Sequence, residues 1–231
     1  MRYKKIIEAI FLKRPNRFIA HVLIDGLEEI AHVKNTGRCA ELLIPGARIL
    51  LEDASDNPNR KTKYSLISVW KGDMLVNMDS QVPNAVVFDA LKENKIGGLE
   101  NLVKLKREVS FGRSRYDIYF ETEGKKGFIE VKGVTLEREG MAMFPDAPTE
   151  RGARHALEMA EAVKEGYKGI IFFLIQMKGP GSFRLNSEMD QKFSDAVEYA
   201  VKNGVKVLVY DSLVSEDAIE IGNLIAHWQG I

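Results

Sequence analysis

The sequence predicts an α/β protein of two domains, in which a small β-barrel precedes a mixed α/β domain. The first 80 residues alternate short strand-like segments with turn signals, whereas the remainder alternates helical patterns with apolar strand-like segments. Hydrophobic residues make up 45% of the 231 residues, which is enough to form a packed core. The boundary is predicted at residue 82, giving domains over residues 1–82 and 83–231.

Five short strands are predicted in the N-terminal domain. Phe18, Ala20 and Val22 fall on one face of the first strand, as the two-residue period of a strand requires. Turn signals such as Asp25-Gly26 separate the segments. So many short strands favour a small barrel, because closure removes exposed sheet edges; an OB-like barrel is preferred and a small sandwich is the alternative. The predicted strands cover residues 17–24, 28–34, 47–52, 64–70 and 73–78.

The C-terminal domain is predicted to contain a mixed sheet with helices. Residues 83–94 have a helical apolar pattern, Thr149 is placed to cap a long helix, and Gly204 ends another helix over residues 190–203. Residues 169–176 form a continuous apolar run, which is typical of a strand buried on both faces. The predicted strands cover residues 104–111, 115–121, 127–134, 169–176 and 205–210.

Charge and composition exclude several classes of protein. The 33 basic and 33 acidic side chains cancel, so the chain is not a generally basic nucleic-acid-binding protein. No apolar run is long enough for a membrane-spanning helix, and no membrane partner is expected. A single cysteine, Cys39, cannot form an internal disulfide, and the N-terminus lacks a signal-peptide cleavage pattern. These features predict a cytoplasmic protein.

The residues best suited to chemistry are Asp117, Glu130 and Lys132. Glu130 and Lys132 are two apart on a predicted strand and therefore point to one face, and Asp117 begins the preceding strand of a predicted hairpin. Two such carboxylates can bind Mg²⁺ or Mn²⁺, and the lysine can stabilise developing negative charge, as metal-assisted phosphodiester hydrolysis requires. Gln176 ends the apolar strand, where ligand crevices form. On spacing alone, a cross-strand salt bridge is the more common explanation.

Basic side chains near these residues indicate contacts with phosphate. Two arginines directly precede Asp117, and guanidinium groups bind phosphate oxygens in pairs. A second basic cluster lies in the predicted barrel, and the helix after Thr149 carries an arginine and a histidine on its polar face. A solvated surface is the alternative for each group. The candidate DNA contacts are Arg60, Lys61, Lys63, Arg113, Arg115, Arg151 and His155.

Several strings make the chain resemble the sugar fermentation stimulation protein A (SfsA) family, over roughly residues 10–215. The last two strings below are the most diagnostic, and one departure is Lys34, where the family often has proline. The matching strings are His32-Val33-Lys34-Asn35-Thr36-Gly37-Arg38-Cys39, Pro45-Gly46, Asn57-Pro58-Asn59-Arg60-Lys61-Thr62-Lys63-Tyr64, Asn77-Met78-Asp79-Ser80-Gln81-Val82-Pro83-Asn84, Ser114-Arg115-Tyr116-Asp117, Glu130-Val131-Lys132-Gly133-Val134-Thr135-Leu136-Glu137 and Phe144-Pro145-Asp146-Ala147-Pro148-Thr149-Glu150-Arg151-Gly152-Ala153-Arg154-His155.

This resemblance implies an OB-like N-terminal domain and a C-terminal domain similar to PD-(D/E)xK nucleases. Asp117, Glu130 and Lys132 match the nuclease signature positions. In that superfamily an acidic residue of the first helix often completes the metal site, and Asp89 is preferred here over Glu93. The resemblance also implies DNA binding and a link to the regulation of sugar (maltose) metabolism.

Together these observations predict a largely sequence-nonspecific DNA-binding protein with a Mg²⁺- or Mn²⁺-dependent nuclease site. The alternative is a regulator that binds DNA and keeps the nuclease fold without cleavage. RNA is left open as the nucleic acid in either case, and a dimer is left open as the oligomeric state.

Overall fold

A computed structural model describes residues 1–35 and 37–229, and three helices and sixteen strands lie in this part of the chain. The helices are α1 (Val82–Lys92), α2 (Glu150–Lys164) and α3 (Gln191–Lys202). The strands are β1 (Ile6–Asn16), β2 (Ile19–Ile24), β3 (Leu27–Val33), β4 (Arg48–Asp53), β5 (Tyr64–Lys71), β6 (Met74–Asn77), β7 (Lys104–Phe111), β8 (Ser114–Thr122), β9 (Lys125–Val134), β10 (Leu136–Arg138), β11 (Met141–Phe144), β12 (Lys168–Ile175), β13 (Ser182–Leu185), β14 (Lys206–Val214), β15 (Ile219–Leu224) and β16 (Trp228–Gln229).

Strands β1 to β5 form a closed barrel. They follow the order β3-β2-β1-β4-β5, and a parallel pairing of β3 with β5 closes the ring, with His32 opposite Ser65. Strand β6 continues the sheet beyond β5. Ala20, Val22 and Leu51 are fully buried inside, in an apolar core that continues into the C-terminal domain. The barrel preferred from the sequence is therefore confirmed.

Two features of the barrel differ from the prediction. Strand β1 is not predicted, because its first seven residues are apolar at six positions and show no alternation. It pairs with β4 through its first half and with β2 through its second half. Phe18, expected to face inward, is 55% exposed, because β2 begins only at Ile19 and Phe18 belongs to the turn before it.

The C-terminal domain is built on a six-stranded mixed sheet in the order β15-β14-β12-β9-β8-β7. The central strands β9, β12 and β14 are parallel, and the outer strands are antiparallel. Helices α2 and α3 pack on each other on one face of the sheet, and α1 packs on the other. Residues Gly169 to Ile175 are all buried, which confirms that this run is a strand covered on both faces.

A second, smaller sheet in this domain is not predicted from the sequence. It contains β10, β11, β13 and β16, each of two to four residues. Strands so short carry too few residues to display an alternating pattern. Strand β15 is likewise missed, because Gly222 interrupts its apolar residues.

Buried polar contacts join the barrel to the C-terminal domain. Gln176 Nε2 donates to Asn77 Oδ1 at 2.9 Å and to the Asp79 carbonyl at 3.1 Å. Lys71 of β5 donates to the carboxylate of Glu137 and, at 2.6 Å, to its carbonyl. Gln176, Asn77 and Glu137 are buried and Lys71 is partly buried, and because all are paired they fix the orientation of the barrel relative to the sheet.

The first residues of the chain lie against the C-terminal domain. Arg2 forms an ion pair with Asp217 at 2.7 Å, and the amide of Tyr3 donates to the Asp217 carbonyl at 2.7 Å. The predicted division at residue 82 stays a prediction, and these contacts cross it. In the described part of the chain, every helix is too short or too polar to cross a membrane.

Candidate metal and nucleic-acid site

Strand β9 directs Glu130 and Lys132 to the face of the sheet covered by α2. Their neighbours Ile129 and Val131 point the other way, into the core beneath α1. This alternation follows from the two-residue period of the strand, as predicted. Glu130 is 4% exposed, so a carboxylate has been placed inside the protein, where it requires partners.

Asp117 lies where the regular alternation of β8 breaks. Tyr116 and Ile118 are both fully buried, yet they belong to the cores on opposite faces of the sheet. Between them, Asp117 Oδ2 accepts from the Val131 amide at 2.8 Å, and Oδ1 accepts from Asn84 Nδ2 at 2.7 Å. These two bonds hold the Asp117 carboxylate against β9, beside Glu130.

The two carboxylate oxygens of Glu130 are in different environments. Oε1 accepts from Lys132 Nζ at 2.6 Å and lies 2.6 Å from His155 Nδ1. Oε2 is equally buried but has no hydrogen-bond partner in the described residues. Oε1 therefore accepts hydrogen bonds from two protein donors, whereas Oε2 accepts none. A buried, charged oxygen without a partner costs free energy of folding.

The hydrogen bond from Arg151 determines how His155 binds Glu130. Arg151 Nε lies 3.3 Å from His155 Nε2, and a guanidinium group can only donate. Nε2 is then the acceptor, so the ring hydrogen is on Nδ1 and is donated to Glu130. His155 was expected to contact DNA, but it is 3% exposed and bound to Glu130, so it supports the carboxylate instead.

The pKa values of the two acids are shifted in opposite directions. Burial, and then the charge of Glu130, raise the pKa of Asp117 above its usual range. Burial also opposes ionisation of Glu130, but the hydrogen bond from His155 and the charge of Lys132 lower the pKa of Glu130 below its usual range. A proton or a cation would therefore relieve the repulsion between these carboxylates.

Further polar atoms without partners surround Glu130. The Tyr116 hydroxyl and Glu158 Oε2 are buried and unpaired among the described residues. The Tyr116 ring packs edge-on against His155, with centroids 6.1 Å apart. Burial and the charges of Glu158 and Glu130 raise the pKa of Tyr116, so its hydroxyl stays protonated and can donate. Three buried polar atoms in this region are thus left without a hydrogen-bond partner among the described residues.

The expected third acid, Asp89, is not brought to this centre. It lies on α1 five residues after Asn84, which is more than a full turn further along the helix. Its side chain is half exposed, and its ion partner is Arg107 at 3.8 Å. Asn84, in the first turn of α1, reaches Asp117 instead. The sequence signals for Asn84 are its position directly after Pro83 at the start of α1 and its place at the end of one of the strings that resemble the SfsA family.

The residues present fit a cation that needs few protein ligands. In residues 1–35 and 37–229, no three His, Cys, Asp or Glu side chains are grouped as a metal site. Asp117 and Glu130 supply two carboxylates, and the bare Glu130 Oε2 is a ready ligand atom. Mg²⁺ characteristically retains several waters and binds one or two carboxylates together with substrate phosphate.

Gln176 lies outside the cluster around Glu130, although it was expected to be catalytic. Its amide spans from the end of β12 to Asn77 and the Asp79 carbonyl, at the junction with the barrel. It covers Gly133, where an added Cβ would overlap Gln176 Oε1 and approach Pro83 Cγ to 2.8 Å. The glycine directly after Lys132 therefore permits this close packing.

The remaining basic candidates occupy two loops. Arg60, Lys61 and Lys63 lie between β4 and β5, and Arg60 donates to Ser65 Oγ at 2.6 Å. Arg113 and Arg115 lie at the turn between β7 and β8, at the end of the sheet that carries Asp117. Except for Arg60, which is half-buried, these five side chains are exposed, and Arg115 is paired with Glu108. Arg151, on α2, is also exposed.

A cleft of about 780 Å³ separates the barrel from the segment that precedes α2. The sequence does not predict this cleft, because its walls come from distant parts of the chain. Arg17 and Arg38 line its barrel side, and Gly133 and Gln176 line its floor. Thr149, which caps α2, also lines it, so the cleft borders the helix that carries His155.

Comparison with known proteins identifies the family. The description "SfsA N-terminal OB domain" matches residues 12–78, and "Sugar fermentation stimulation protein RE domain" matches residues 81–218. The chain belongs to the SfsA family. A sugar fermentation stimulation protein homolog of Alkaliphilus oremlandii is 67% identical over 227 residues, covering 96% of this chain and 97% of the relative. A homolog of Clostridium beijerinckii is 51% identical over 221 residues, covering 96% of each chain.

The SfsA fold is also found in a solved structure. The structure of Pyrococcus furiosus SfsA in complex with Ca²⁺ superimposes with a TM-score of 0.89 at 26% identity, and the match covers 99% of this chain and 98% of that one. The OB domain followed by a mixed α/β domain, expected from the sequence, is therefore confirmed.

Proposed function

We propose that this SfsA protein binds DNA with little sequence preference and hydrolyses phosphodiester bonds at a Mg²⁺ or Mn²⁺ ion held by Asp117 and Glu130. The observation that carries the proposal is the asymmetry of Glu130, whose Oε1 takes two protein donors while Oε2 is buried and bare. The Ca²⁺ in the related Pyrococcus furiosus structure supports a divalent cation in this family. The names of the relatives support a link to sugar metabolism.

The side chains of the centre have separable roles. When bound, a divalent cation supplies a Lewis acid for the phosphate and lowers the pKa of a coordinated water. Asp117 and Glu130 hold it, and Asn84 and His155 fix the orientation of these carboxylates. The Lys132 ammonium lies beside Glu130 at the same face and stabilises negative charge on the reacting phosphate.

The exposed basic side chains account for DNA binding. Arg113 and Arg115 lie at the same end of the sheet as Asp117, and Lys61 and Lys63 lie on the barrel. Contacts of this kind go to phosphate and carry little sequence information. In the described residues, no helix presents a row of Asn, Gln and Arg suited to a major groove, so we propose non-specific binding.

The test is cleavage by wild type and Lys132→Met. Plasmid and oligonucleotides are incubated with Mg²⁺ or Mn²⁺, and with EDTA as the metal-free control. We expect cleavage by the wild type only with the metal. Lys132→Met should abolish cleavage and keep DNA affinity within a few fold, because the ammonium acts on the reacting phosphate; its melting temperature is measured alongside, since the variant also removes a donor to Glu130 Oε1.

If the folded, metal-loaded wild type binds DNA but does not cleave it, the nuclease proposal is rejected. The alternative, a DNA-binding regulator without cleavage activity, is then retained. Loss of DNA binding in Lys132→Met would show that this lysine holds phosphate in the ground state.

A further inference from the structure

The interdomain cleft has the features of a binding site for one strand of nucleic acid. The Arg14 guanidinium donates to the carbonyls of Arg17, Asn35, Gly37 and Arg38, at 2.6–2.9 Å. It thereby ties the turn after β1 to the loop after β3 and makes one wall of the cleft rigid. A ligand meeting this wall encounters a preformed surface.

This wall presents positive charge without acidic partners of its own. Arg17 and Arg38 are exposed, and neither forms an ion pair with any residue that the structure describes. The Asp146 carboxylate also lines the cleft, where it lies 3.9 Å from Cys39 Sγ and forms no ion pair with Arg17 or Arg38. The two guanidinium groups at the rim are therefore available to an anionic ligand.

An exposed aromatic ring lies in the turn next to Arg17, although it is not part of the cleft lining. Phe18 follows Arg17 in the same turn, and its side chain is 55% exposed, although an apolar ring gains free energy from burial. Basic groups that follow a backbone, combined with an exposed aromatic ring on which a base can stack, are the means by which proteins hold single strands.

The size and surroundings of the cleft also favour a single strand. Its volume of about 780 Å³ is in the range of small-ligand sites, about 300–1,000 Å³, which accommodates a few nucleotides of one strand but not a duplex. Its lining includes Gly133, which directly follows Lys132 in β9, and Thr149, which caps the helix carrying His155. The cleft therefore borders two of the elements that carry the Glu130 centre.

We propose that single-stranded DNA occupies this cleft, with Arg17 and Arg38 contacting its phosphates and Phe18 stacking on a base. The inference rests on the proposed nuclease function, because it names the form of DNA presented to that centre. The binding step needs no cation at Asp117 and Glu130, so it can be measured independently of cleavage.

The test is fluorescence anisotropy in EDTA, where hydrolysis is absent, with a labelled 12-nucleotide strand and the blunt duplex of the same sequence. Wild type should bind the single strand more tightly than the duplex. Arg17→Ala/Arg38→Ala should weaken single-strand binding tenfold or more. It should also reduce the slope of log K against log[salt] by about 1.4, since each single-strand phosphate contact contributes roughly 0.7.

Two further variants separate stacking from charge. Phe18→Ala should weaken single-strand binding about fivefold or more without changing the salt slope, because stacking is not ionic. Lys202→Ala/Lys206→Ala removes the same number of charges at the opposite end of the sheet and should bind as the wild type does. Unchanged melting temperatures would show that all variants fold.

The inference is overturned if Arg17→Ala/Arg38→Ala binds the single strand as tightly as the lysine control. Tighter binding of the duplex by wild type would also overturn it. If the wild type binds the single strand as expected but does not cleave DNA in the presence of metal, the nuclease proposal is contradicted and the single-strand proposal is not.

Discussion

At the scale of single residues, the Glu130 carboxylate is buried beside Asp117 and is only partly neutralised. Lys132 and His155 act on one oxygen, and Asp117 keeps a raised pKa because burial and the Glu130 charge oppose its ionisation. Without a cation, the folded protein bears the cost of holding these two acids together. Cation binding should therefore be measurable as stability.

We expect Mn²⁺ to raise the melting temperature of wild type by several degrees and to leave Asp117→Asn/Glu130→Gln unchanged. A ligand present at about 100 times its Kd stabilises the native state by about 2.7 kcal/mol, and each kcal/mol shifts the melting temperature by about 2–4 °C at this size. Differential scanning fluorimetry with and without Mn²⁺ measures the shift. Equal shifts in both proteins would place the bound metal elsewhere.

His155→Ala should destabilise the fold and weaken Mn²⁺ binding. The variant leaves Glu130 Oε1 with Lys132 as its single donor, at a cost of about 1.5–3 kcal/mol for a hydrogen bond to a buried charge. Loss of such an orienting partner lowers metal affinity about 10- to 100-fold. Urea unfolding and calorimetric Mn²⁺ titration measure these effects. His155→Gln keeps a hydrogen-bond donor and should recover part of the stability and part of the Mn²⁺ affinity. If the alanine and glutamine variants behave identically, His155 does not act through its hydrogen bond.

Part of this centre could be predicted from the sequence. Glu130 and Lys132 are two apart on a strand, so their shared face follows from backbone geometry alone. The supporting residues Asn84 and His155 come from different helices, and their contacts depend on how those helices pack. Asp89 was expected from the nuclease resemblance, as an acidic residue of the first helix, but in the structure its side chain is half exposed and paired with Arg107. Arg17 and Arg38 were missed because the cleft exists only in the folded chain.

At the scale of elements, Asp190 links the starts of α2 and α3. Its Oδ1 accepts from the Phe193 amide at 3.0 Å and caps α3, and its Oδ2 accepts from the Thr149 amide at 2.7 Å, next to α2. Thr149 in turn caps α2 by accepting from the Gly152 amide at 3.1 Å. One carboxylate thus fixes the helix that carries Arg151 and His155.

Asp190→Ala should therefore destabilise the protein more than Thr149→Ala. The threonine change removes one cap, at about 1 kcal/mol, whereas the aspartate change removes a cap and a second charge-assisted bond, at about 2 kcal/mol or more. Urea denaturation at pH 7 gives both values. Asp190→Asn keeps an acceptor, so its loss of stability should lie between those of the two alanine variants. Equal losses for the two alanine variants would show that the bond from the Thr149 amide to Asp190 contributes nothing.

The elements themselves were predicted where their patterns are strong. The capped helix after Thr149 and the buried run of β12 each combine a clear period with a clear end signal. Strand β1 was missed because its apolar residues hide the alternation, and β10, β11 and β13 are too short to show one. Tertiary pairing, rather than local preference, makes these segments strands.

At the scale of the whole molecule, the ion pair of Lys71 with Glu137 makes the domain contact sensitive to acid. Burial disfavours the Glu137 carboxylate, but hydrogen bonds from Lys71 and the Gly140 amide hold its pKa below the ordinary 4.5. A carboxyl with a lowered folded pKa stabilises the native state above pH 4.5, and this contribution is lost as the pH falls through the folded pKa.

Wild type should therefore lose its stability advantage over Glu137→Gln as the pH is lowered below about 4.5. Above that pH, the wild type should have the higher melting temperature, because the variant lacks the charged partner of Lys71. Thermal unfolding of both proteins from pH 7 to pH 3.5 measures the gap. A gap that stays constant over this range would show that Glu137 titrates alike in the folded and unfolded chains.

The contact of Arg2 with Asp217 joins positions 215 residues apart, and this has a consequence for biosynthesis. The ribosome makes Arg2 first, and at about 5–20 residues per second Asp217 emerges about ten to forty seconds later. The barrel, whose strands all precede residue 78, can close during that interval, but Arg2 still lacks the partner that it has in the folded protein. Slower elongation therefore prolongs the time for which Arg2 is exposed to chaperones and proteases before its contact with the C-terminal domain can form.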